Sequence, residues 1–379
     1  MLLLPSEKKE FMKSNRKKKI IIIGKLPPPI MGPALATKIL LNSDLKNRYD
    51  LVHFDITINK TIKTQEVLSL KKVFQSFNLY RSFWKTIRKE KPDLVLMTSF
   101  SQSVVGFYKD IPYLTIPRLF KTKVIGQLRG SNFKNLMNST NNLNAGVMRR
   151  VLRKTDGIVV LGNNLKYIFE DVVQLEKIFV VPNGANYSFP VVEKTNEKIN
   201  VLYLANMYKT KGVQSVVEAA IKLNNPNCQF TFAGGWSFDE KFKEDLIRKI
   251  DQSNLDITVL PPVSGTEKFR LFAKADIFVF PPIAPEGHPW VLVEAMAAGL
   301  SIISTDQGAI VESVIDGENG FIVAPNSPVQ IAEKLQLLID NKEMRKAMAA
   351  KSKQFHMEKF SEERMVENFS AVFDKVIED

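Results

Sequence analysis

Two glutamates with seven residues between them stand in the segment PPIAPEGHPWVLVEAMAAGL, residues 281–300. The segment begins with turn residues and continues as an apolar helical stretch, so Glu286 precedes the predicted helix and Glu294 lies inside it. Pro289 suits the first position of the helix, and Gly287 lets a ligand approach the backbone closely. The N–H groups at such a helix start, with the helix dipole behind them, form an anion site suited to a diphosphate.

The spacing of the two carboxylates predicts separate binding tasks. Because a helix rises about 1.5 Å per residue, Glu294 lies about 6 to 8 Å further along the helix than the anion site. This length matches the reach from a diphosphate to the ribose of the same nucleotide, whose two hydroxyls a carboxylate can bind. Glu286 would then lie beside the group that the diphosphate carries. The alternative is that Glu286 is a solvated loop residue and Glu294 a helix-surface residue.

Apolar strands that alternate with helical segments must position these carboxylates. A polar stretch rich in turn residues, near 185–198, separates two series of predicted buried strands. The strands are KIIIIG, DLVLM, KVIGQL, GIVVLG and IFVVP in the first series, and NVLYLA, QFTFAGG, ITVLPP, DIFVFPP, SIISTD and GFIVAP in the second. The pattern predicts an α/β fold with two doubly wound, Rossmann-like domains that face a central cleft.

Charge and composition limit the function classes. The formal net charge is +13, with +19 in residues 1–190 (32 Lys and Arg against 13 Asp and Glu) and −6 in residues 191–379 (21 against 27). This asymmetry favours an anionic surface or ligand for the first half, and a solubilising surface is the alternative. A single cysteine excludes a disulfide framework and favours a cytoplasmic location. No Asp-x-Asp pair or histidine cluster occurs in the sequence, so we expect no metal site and no cofactor.

The stretch from Glu286 to Val323 closely resembles the signature of the family-4 retaining glycosyltransferases (glycosyl transferases group 1), which have the GT-B fold. The resemblance covers essentially the whole chain after a basic N-terminal tail, residues 1–17. It implies an N-terminal acceptor-binding domain at 18–188 and a C-terminal nucleotide-sugar-binding domain at 189–355. The C-terminal helix, 356–379, is expected to pack back toward the N-terminal domain.

Other landmarks of the family follow in order, with two departures. Gly32, in PPPIMGPALAT, resembles the glycine loop near the donor phosphates and the acceptor, and Lys211, in LYLANMYKTKGVQSVVEAA, fits the diphosphate-binding lysine. Asn206 stands where the family commonly has arginine, so Lys211 is expected to carry most of the diphosphate charge. Arg129 replaces the usual histidine in VIGQLRGSN, and Val263 falls at the nucleobase position.

The resemblance implies transfer from a nucleotide-diphosphate sugar, with UDP favoured over GDP, and retention of the anomeric configuration. Negative charge then develops on the departing diphosphate and positive charge at the anomeric carbon. The predicted catalytic residues are Glu286, Lys211 and Arg129. The predicted substrate-binding residues are Gly32, Asn206, Lys211, Val263, Glu286, Gly287, His288, Pro289, Trp290, Val291 and Glu294. Lys209 is a candidate helper of Lys211, and the alternative role of Arg129 is a structural ion pair.

The acceptor is indicated by LKKVFQSFNLYRSFWKTIRKEK, residues 70–91, which places apolar side chains at helical spacing among Lys and Arg. Such a helix lies on an anionic membrane surface or packs its aromatic face on the first sheet, and both alternatives are open. With the basic first half, it favours a saccharide or lipid-linked acceptor in bacterial-type surface polysaccharide or glycolipid synthesis. The protein would then be peripheral on the inner face of the cell membrane.

Two other function classes remain as alternatives. A nucleotide-sugar epimerase of the same fold would share the diphosphate site, but it needs acid/base carboxylates and histidine on the first domain, which is poor in both. A nucleic-acid-binding protein is suggested by charge alone. No binding module is recognisable and the basic residues are dispersed, so no nucleic-acid partner is expected.

Overall fold

A computed structural model describes most of the chain. The described residues are 16–28, 31–57, 70–193 and 198–379, without the side chains of 70–73. The predicted basic tail, apart from its last two residues, lies outside this description.

The N-terminal sheet has six parallel strands in the order β2-β1-β3-β4-β5-β6. They are β1 Lys19–Ile23, β2 Asp50–Phe54, β3 Leu94–Met97, β4 Lys123–Gln127, β5 Gly157–Val160 and β6 Ile178–Val180. Strand β2 was absent from the sequence prediction. It is one of the two edge strands, and its residues are largely half-buried or exposed, so its sequence lacks the continuous apolar run of a central strand.

Six α-helices accompany this sheet among the described residues. They are α1 Gly32–Asn42, α2 Leu45–Arg48, α3 Leu70–Glu90, α4 Val104–Thr115, α5 Phe133–Ser139 and α6 Asn142–Leu152. Three short 3-10 turns complete the domain, at Ile116–Phe120, Asn163–Ile168 and Leu175–Lys177. Helices α3, α4, α5 and α6 pack on one face of the sheet in a core rich in phenylalanine.

The C-terminal sheet also has six parallel strands, in the order β12-β11-β10-β7-β8-β9. They are β7 Ile199–Leu204, β8 Cys228–Ala233, β9 Ile257–Leu260, β10 Ile277–Phe280, β11 Ser301–Thr305 and β12 Gly320–Val323. The helices are α7 Val213–Leu223, α8 Glu240–Asp251, α9 Gly265–Lys274, α10 Trp290–Ala297, α11 Ile310–Ser313, α12 Pro328–Asp340, α13 Lys342–Phe355 and α14 Glu362–Glu378. The strand order reverses between β7 and β10, and ligands of doubly wound sheets bind at such a point.

The last helix, α14, belongs to the core of the other domain. Its Phe369 and Phe373 are fully buried in one apolar cluster with Ile20 and Ile22 of β1. The hydroxyl of Tyr49 donates to a carboxylate oxygen of Asp374 in α14 at 2.5 Å. The chain therefore crosses between the two domains twice, once after β6 and once at the π-helical turn that precedes α14.

In the part of the chain that the structure describes, no helix combines the length and the apolar character needed to cross a membrane. Two parallel six-stranded sheets with flanking helices confirm the predicted α/β architecture.

Candidate active site

Two candidate catalytic residues meet at the strand-order reversal of the C-terminal sheet. Lys211 follows β7, Glu286 follows β10, and these strands are neighbours. The Lys211 ammonium donates a hydrogen bond to the Glu286 carboxylate, and their side chains are 28% and 17% exposed. The structure thus brings together two residues that are 75 positions apart in sequence, and each neutralises the other where a ligand is expected.

A glycine directly follows each member of this pair. Gly212, directly after Lys211, has φ of 76°, and a β-carbon there would collide with the carbonyl oxygen of Pro281. Gly287, directly after Glu286, packs against the backbone of Arg129 in the other domain, where a β-carbon would also collide. The turn that carries Glu286 therefore depends on two positions without side chains.

The start of helix α10 lies next to Glu286 and faces the N-terminal domain. Pro289 is the N-cap residue and makes no side-chain cap hydrogen bond, so the helix begins at Trp290, one residue later than the sequence predicted. The amides of Trp290 and Val291 belong to the first turn, which has no acceptors within the helix. The indole of Trp290 lies beside Gly32 at the start of α1, where an added β-carbon would be 3.4 Å from the ring.

Glu294 is buried, with 1% of its surface exposed, which corrects the alternative that it is a helix-surface residue. Lys268 of α9 donates to Oε1 of Glu294 at 2.5 Å, while Oε2 is buried and has no hydrogen-bond partner among the described residues. Burial raises the pKa of Glu294 more than Lys268 lowers it. A buried carboxylate oxygen without a donor is unfavourable, so this geometry suits a ligand hydroxyl at Oε2.

The ring of His288 is held inside the protein. Its Nδ1 accepts from the backbone N–H of Asn183 at 3.0 Å, so Nε2 carries the proton and donates to Oγ of Ser313 at 2.6 Å. Burial lowers the pKa of His288 to about 3, so the ring is neutral at physiological pH. Both ring nitrogens are occupied, and the backbone N–H is the group that His288 is predicted to offer a ligand.

Arg129 is bound entirely by neutral oxygens. Its Nε donates to the carbonyl of Thr98 at 2.8 Å, one terminal nitrogen to Oδ1 of Asn183 at 2.7 Å, and the other to Oε1 of Gln127 at 2.9 Å. Burial lowers the pKa of Arg129 to about 9, which leaves it protonated at neutral pH. This arrangement favours a positioning role for Arg129, and a direct role in catalysis stays a prediction.

Asn183 connects Arg129 to the turn after β10 and was not singled out from the sequence. Its side-chain amide donates to the carbonyl oxygen of His288 at 2.6 Å, while its Oδ1 accepts from Arg129. It lies in VVPNGAN, which the sequence marked only as the segment that leads into the linker. The buried hydrogen-bonded series Arg129, Asn183 and His288 thus joins the segments after β4 and β6 to the turn after β10.

A family model matches the second half of the chain. Residues 186–355 match the model of glycosyl transferases group 1. Over these residues the chain is similar to a group 1 glycosyltransferase domain. The match contains the predicted donor-site residues of the second domain, from Asn206 to Glu294, together with Lys268.

Similar proteins span both domains. An uncharacterized glycosyltransferase of Methanocaldococcus jannaschii is 25% identical over 369 residues, which cover 94% of this chain and 99% of that protein. The N,N'-diacetylbacillosaminyl-diphospho-undecaprenol alpha-1,3-N-acetylgalactosaminyltransferase of Campylobacter jejuni is 25% identical over 240 residues, 62% of this chain and 59% of that protein. The crystal structure of Anabaena HepE in complex with UDP-glucose superposes with a TM-score of 0.73 at 16% identity, covering 94% of this chain and 99% of that one. These likenesses confirm the GT-B fold.

The remaining predicted residues lie at the carboxyl ends of strands in the C-terminal sheet. Asn206 is exposed directly after β7, and Val263 is partly buried after β9. Lys209 forms an ion pair with Asp239 at 2.8 Å, and both side chains are well exposed. Lys209 therefore has its own partner in this structure, whereas Lys211 points to Glu286.

No cluster of three or more His, Cys, Asp or Glu side chains suited to a metal ion occurs among the described residues of the chain. The positive groups beside Glu286 are the ammonium of Lys211 and the amides at the start of α10.

Proposed function

We propose that this protein is a retaining glycosyltransferase that moves a hexosyl or hexosaminyl group from a UDP-sugar to a saccharide or lipid-linked acceptor. One observation carries the proposal: the Lys211–Glu286 ion pair lies before the start of α10, and the buried Glu294 lies inside the same helix. Two carboxylates that flank an anion site match a nucleotide sugar, which has hydroxyls on both sides of its diphosphate.

Donor binding would exchange the partners of the charged pair. The diphosphate takes the ammonium of Lys211 and the first amides of α10, because it carries more negative charge than one carboxylate. Glu286 is then released to accept hydrogen bonds from the hydroxyls of the donor sugar. Oε2 of Glu294, which has no partner among the described residues, accepts from the ribose.

The transfer step follows from these contacts. The bond between the anomeric carbon and the diphosphate oxygen breaks, and a bond from the acceptor oxygen to the same face of that carbon forms. The acceptor's proton passes to the phosphate oxygen of the departing diphosphate. Lys211 and the α10 amides are preorganised to stabilise the negative charge of the leaving group. The positive charge comes from the protein, so the proposal needs no metal ion and no cofactor.

The acceptor proposal rests on charge and on a relative. The first half of the chain has a net charge of +19, from 32 Lys and Arg against 13 Asp and Glu in residues 1–190. The Campylobacter jejuni relative is named for an acceptor carried on diphospho-undecaprenol. We therefore favour a lipid-linked acceptor in bacterial-type surface polysaccharide or glycolipid synthesis, at the inner face of the membrane.

The decisive experiment measures thermal unfolding with UDP, GDP and a panel of their sugars. We expect UDP and one UDP-sugar to raise the unfolding temperature of the protein in the presence of EDTA, because the site supplies its own positive charge. The sugar found would then be supplied with polyprenyl-diphosphate saccharides, and the anomeric configuration of the product determined by NMR. An inverted product, or no response to any nucleotide, would refute the proposal. Consumption of donor without an acceptor would instead indicate an epimerase.

A further inference from the structure

Helix α3 has an inner and an outer face of different kinds. On the inner face, Phe83 and Ile87 are fully buried, and the ring of Phe83 contacts that of Tyr113 in α4 at 5.2 Å. On the outer face, Phe74 is 66% exposed and Phe77 is 57% exposed. The two alternatives for this helix therefore concern different residues, because one aromatic set packs on the sheet and another lies in solvent.

The outer residues form one continuous stripe. Aromatic and basic residues recur along α3 at intervals of three, four, three, one and three positions, which keeps them on one side of a helix. This outer face consists of Phe74, Phe77, Arg81, Trp84, Lys85 and Arg88. It extends for about 21 Å along the helix. The side chains of residues 70–73, which precede it, lie outside the described part of the chain.

The turn Ile116–Phe120 widens this surface. Its Phe120 contacts the ring of Trp84 at 5.9 Å, and Leu119 is 77% exposed. Arg118 and Lys121 on either side of Leu119 are also exposed. The mixture of exposed apolar and basic side chains therefore continues beyond the helix.

A shallow cavity of about 240 Å³ opens on the outer face. It is lined by Tyr80, Arg81, Trp84 and Lys85. Two cations beside aromatic rings suit a phosphate head group whose glycerol and upper acyl carbons contact the rings.

Positive charge on this face has no neutralising carboxylate among the residues that the structure describes. The only acidic residue of segment 70–91 is Glu90, which binds Lys19 at 2.7 Å. The basic side chains of the outer face form no ion pair with any carboxylate of the described residues. A second copy of the chain is a poor occupant, because a two-fold contact through this face would set like charges against each other.

We propose that the outer face of α3, with the turn Ile116–Phe120, docks the protein on an anionic lipid bilayer. Aromatic side chains enter the head-group region, and the arginines and lysines contact lipid phosphates. Helix α3 connects parallel strands β2 and β3, so it runs back against them, and Phe74 and Phe77 lie toward the carboxyl edge of the sheet. That edge borders the cleft, so docking brings a lipid-linked acceptor near the donor site. Docking itself is independent of the proposed transfer activity.

The test is flotation of the full chain with vesicles of phosphatidylglycerol and phosphatidylcholine, at low and high ionic strength. We expect the wild-type protein to float with these vesicles and not with vesicles of phosphatidylcholine alone. Arg81→Glu/Lys85→Glu should weaken partitioning about 10-fold or more, because it reverses two charges at the bilayer. Phe74→Ser/Phe77→Ser should remove the part of binding that persists at high ionic strength.

Lys342→Glu/Lys346→Glu is the matched control, because it reverses two exposed lysines at the same spacing on α13 of the other domain. It should change partitioning less than about 2-fold. Equal losses in the control and in the α3 variant would overturn the proposal, as would wild-type protein that stays with the soluble fraction. Light scattering that shows a dimer lost in Phe74→Ser/Phe77→Ser would assign the face to self-association instead. Unfolding temperatures verify that each variant folds, and the UDP response, measured separately, tests the donor site.

Discussion

The two domains have the same sheet architecture, but the side chains at the point where strand order reverses are charged in one domain and neutral in the other. In the C-terminal sheet this point, between β7 and β10, holds the ion pair of Lys211 and Glu286. In the N-terminal sheet the corresponding point, between β1 and β3, is closed by a hydrogen bond of 2.9 Å between the hydroxyls of Thr37 and Thr98. A similar fold therefore places an ion pair at this point in one domain and a hydrogen bond between neutral hydroxyls in the other.

The buried ionisable groups show the same contrast. In the C-terminal domain, Glu294 keeps one buried carboxylate oxygen without a partner among the described residues, which is suited to a ligand. In the N-terminal domain, Asp110 accepts from the backbone N–H of Ser101 at 2.6 Å, and Arg129 donates to three neutral oxygens of the protein. We infer that the charges of the C-terminal domain serve the ligand, whereas those of the N-terminal domain hold local structure.

The largest effect is expected at Lys211. Lys211→Ala removes the cation that we propose binds the diphosphate, and it should lower kcat/KM about 100- to 1000-fold, the range seen when one preorganised group that stabilises developing charge is lost. Steady-state kinetics with the donor that the thermal-unfolding screen finds measures this, and the unfolding temperature checks the fold. A variant with nearly normal kcat/KM would place the positive charge of the site elsewhere.

Asp110→Asn tests whether a buried charge in the N-terminal domain has a structural effect only. Burial raises the pKa of Asp110 from its ordinary value of 3.8 to about 6. The folded state thus holds the proton more tightly than the unfolded state, so wild-type stability falls as pH rises from about 4 to about 6 and is lowest above that. The variant should match wild type near pH 4 and exceed it at pH 8 by at most about 3 kcal/mol.

Urea unfolding at both pH values measures the difference in the free energy of unfolding between Asp110→Asn and wild type. Donor kinetics of the variant should be close to wild type, because Asp110 binds Ser101 of its own domain and contacts none of the candidate donor-site residues. If the difference in the free energy of unfolding between variant and wild type were the same at pH 4 and pH 8, the Asp110 carboxylate would not be destabilised by burial.

A smaller effect is expected at Glu294. Glu294→Gln retains the shape but replaces a charged acceptor, so the affinity for UDP should fall about 10- to 100-fold. Burial raises the pKa of Glu294 above its ordinary value of 4.5, so the carboxylate takes up a proton at a pH above 4.5. The affinity of the wild type for UDP should therefore fall as the pH is lowered into this range. The variant should lack this acid limb. Calorimetric titration of UDP against pH measures both, and an unchanged acid limb would assign it to another group.

The candidate donor-site residues can be proposed from the sequence, whereas the contacts that support them cannot. Lys211 and Glu286 follow strands and Glu294 lies inside the next helix, in segments whose motif and spacing single them out. Lys268 binds Glu294 across 26 positions, and Asn183 binds His288 across 105, and nothing local marks either residue. Such partners depend on how separate elements pack, which a single sequence does not encode in its periodicity.

The smallest effect is expected at Lys209, two residues from Lys211 on the same turn. The sequence suggested that Lys209 helps with the diphosphate, but the structure pairs it with Asp239, and its side chain is 62% exposed. Exposed ion pairs contribute little, so Lys209→Ala should change both UDP affinity and kcat/KM less than about 3-fold. A loss comparable with that of Lys211→Ala would mean that Lys209 leaves Asp239 when the donor binds. Two lysines, Lys209 and Lys211, would then supply the positive charge for the diphosphate. The expectation from the sequence is that Lys211 alone supplies most of it, because Asn206 replaces the family's usual arginine.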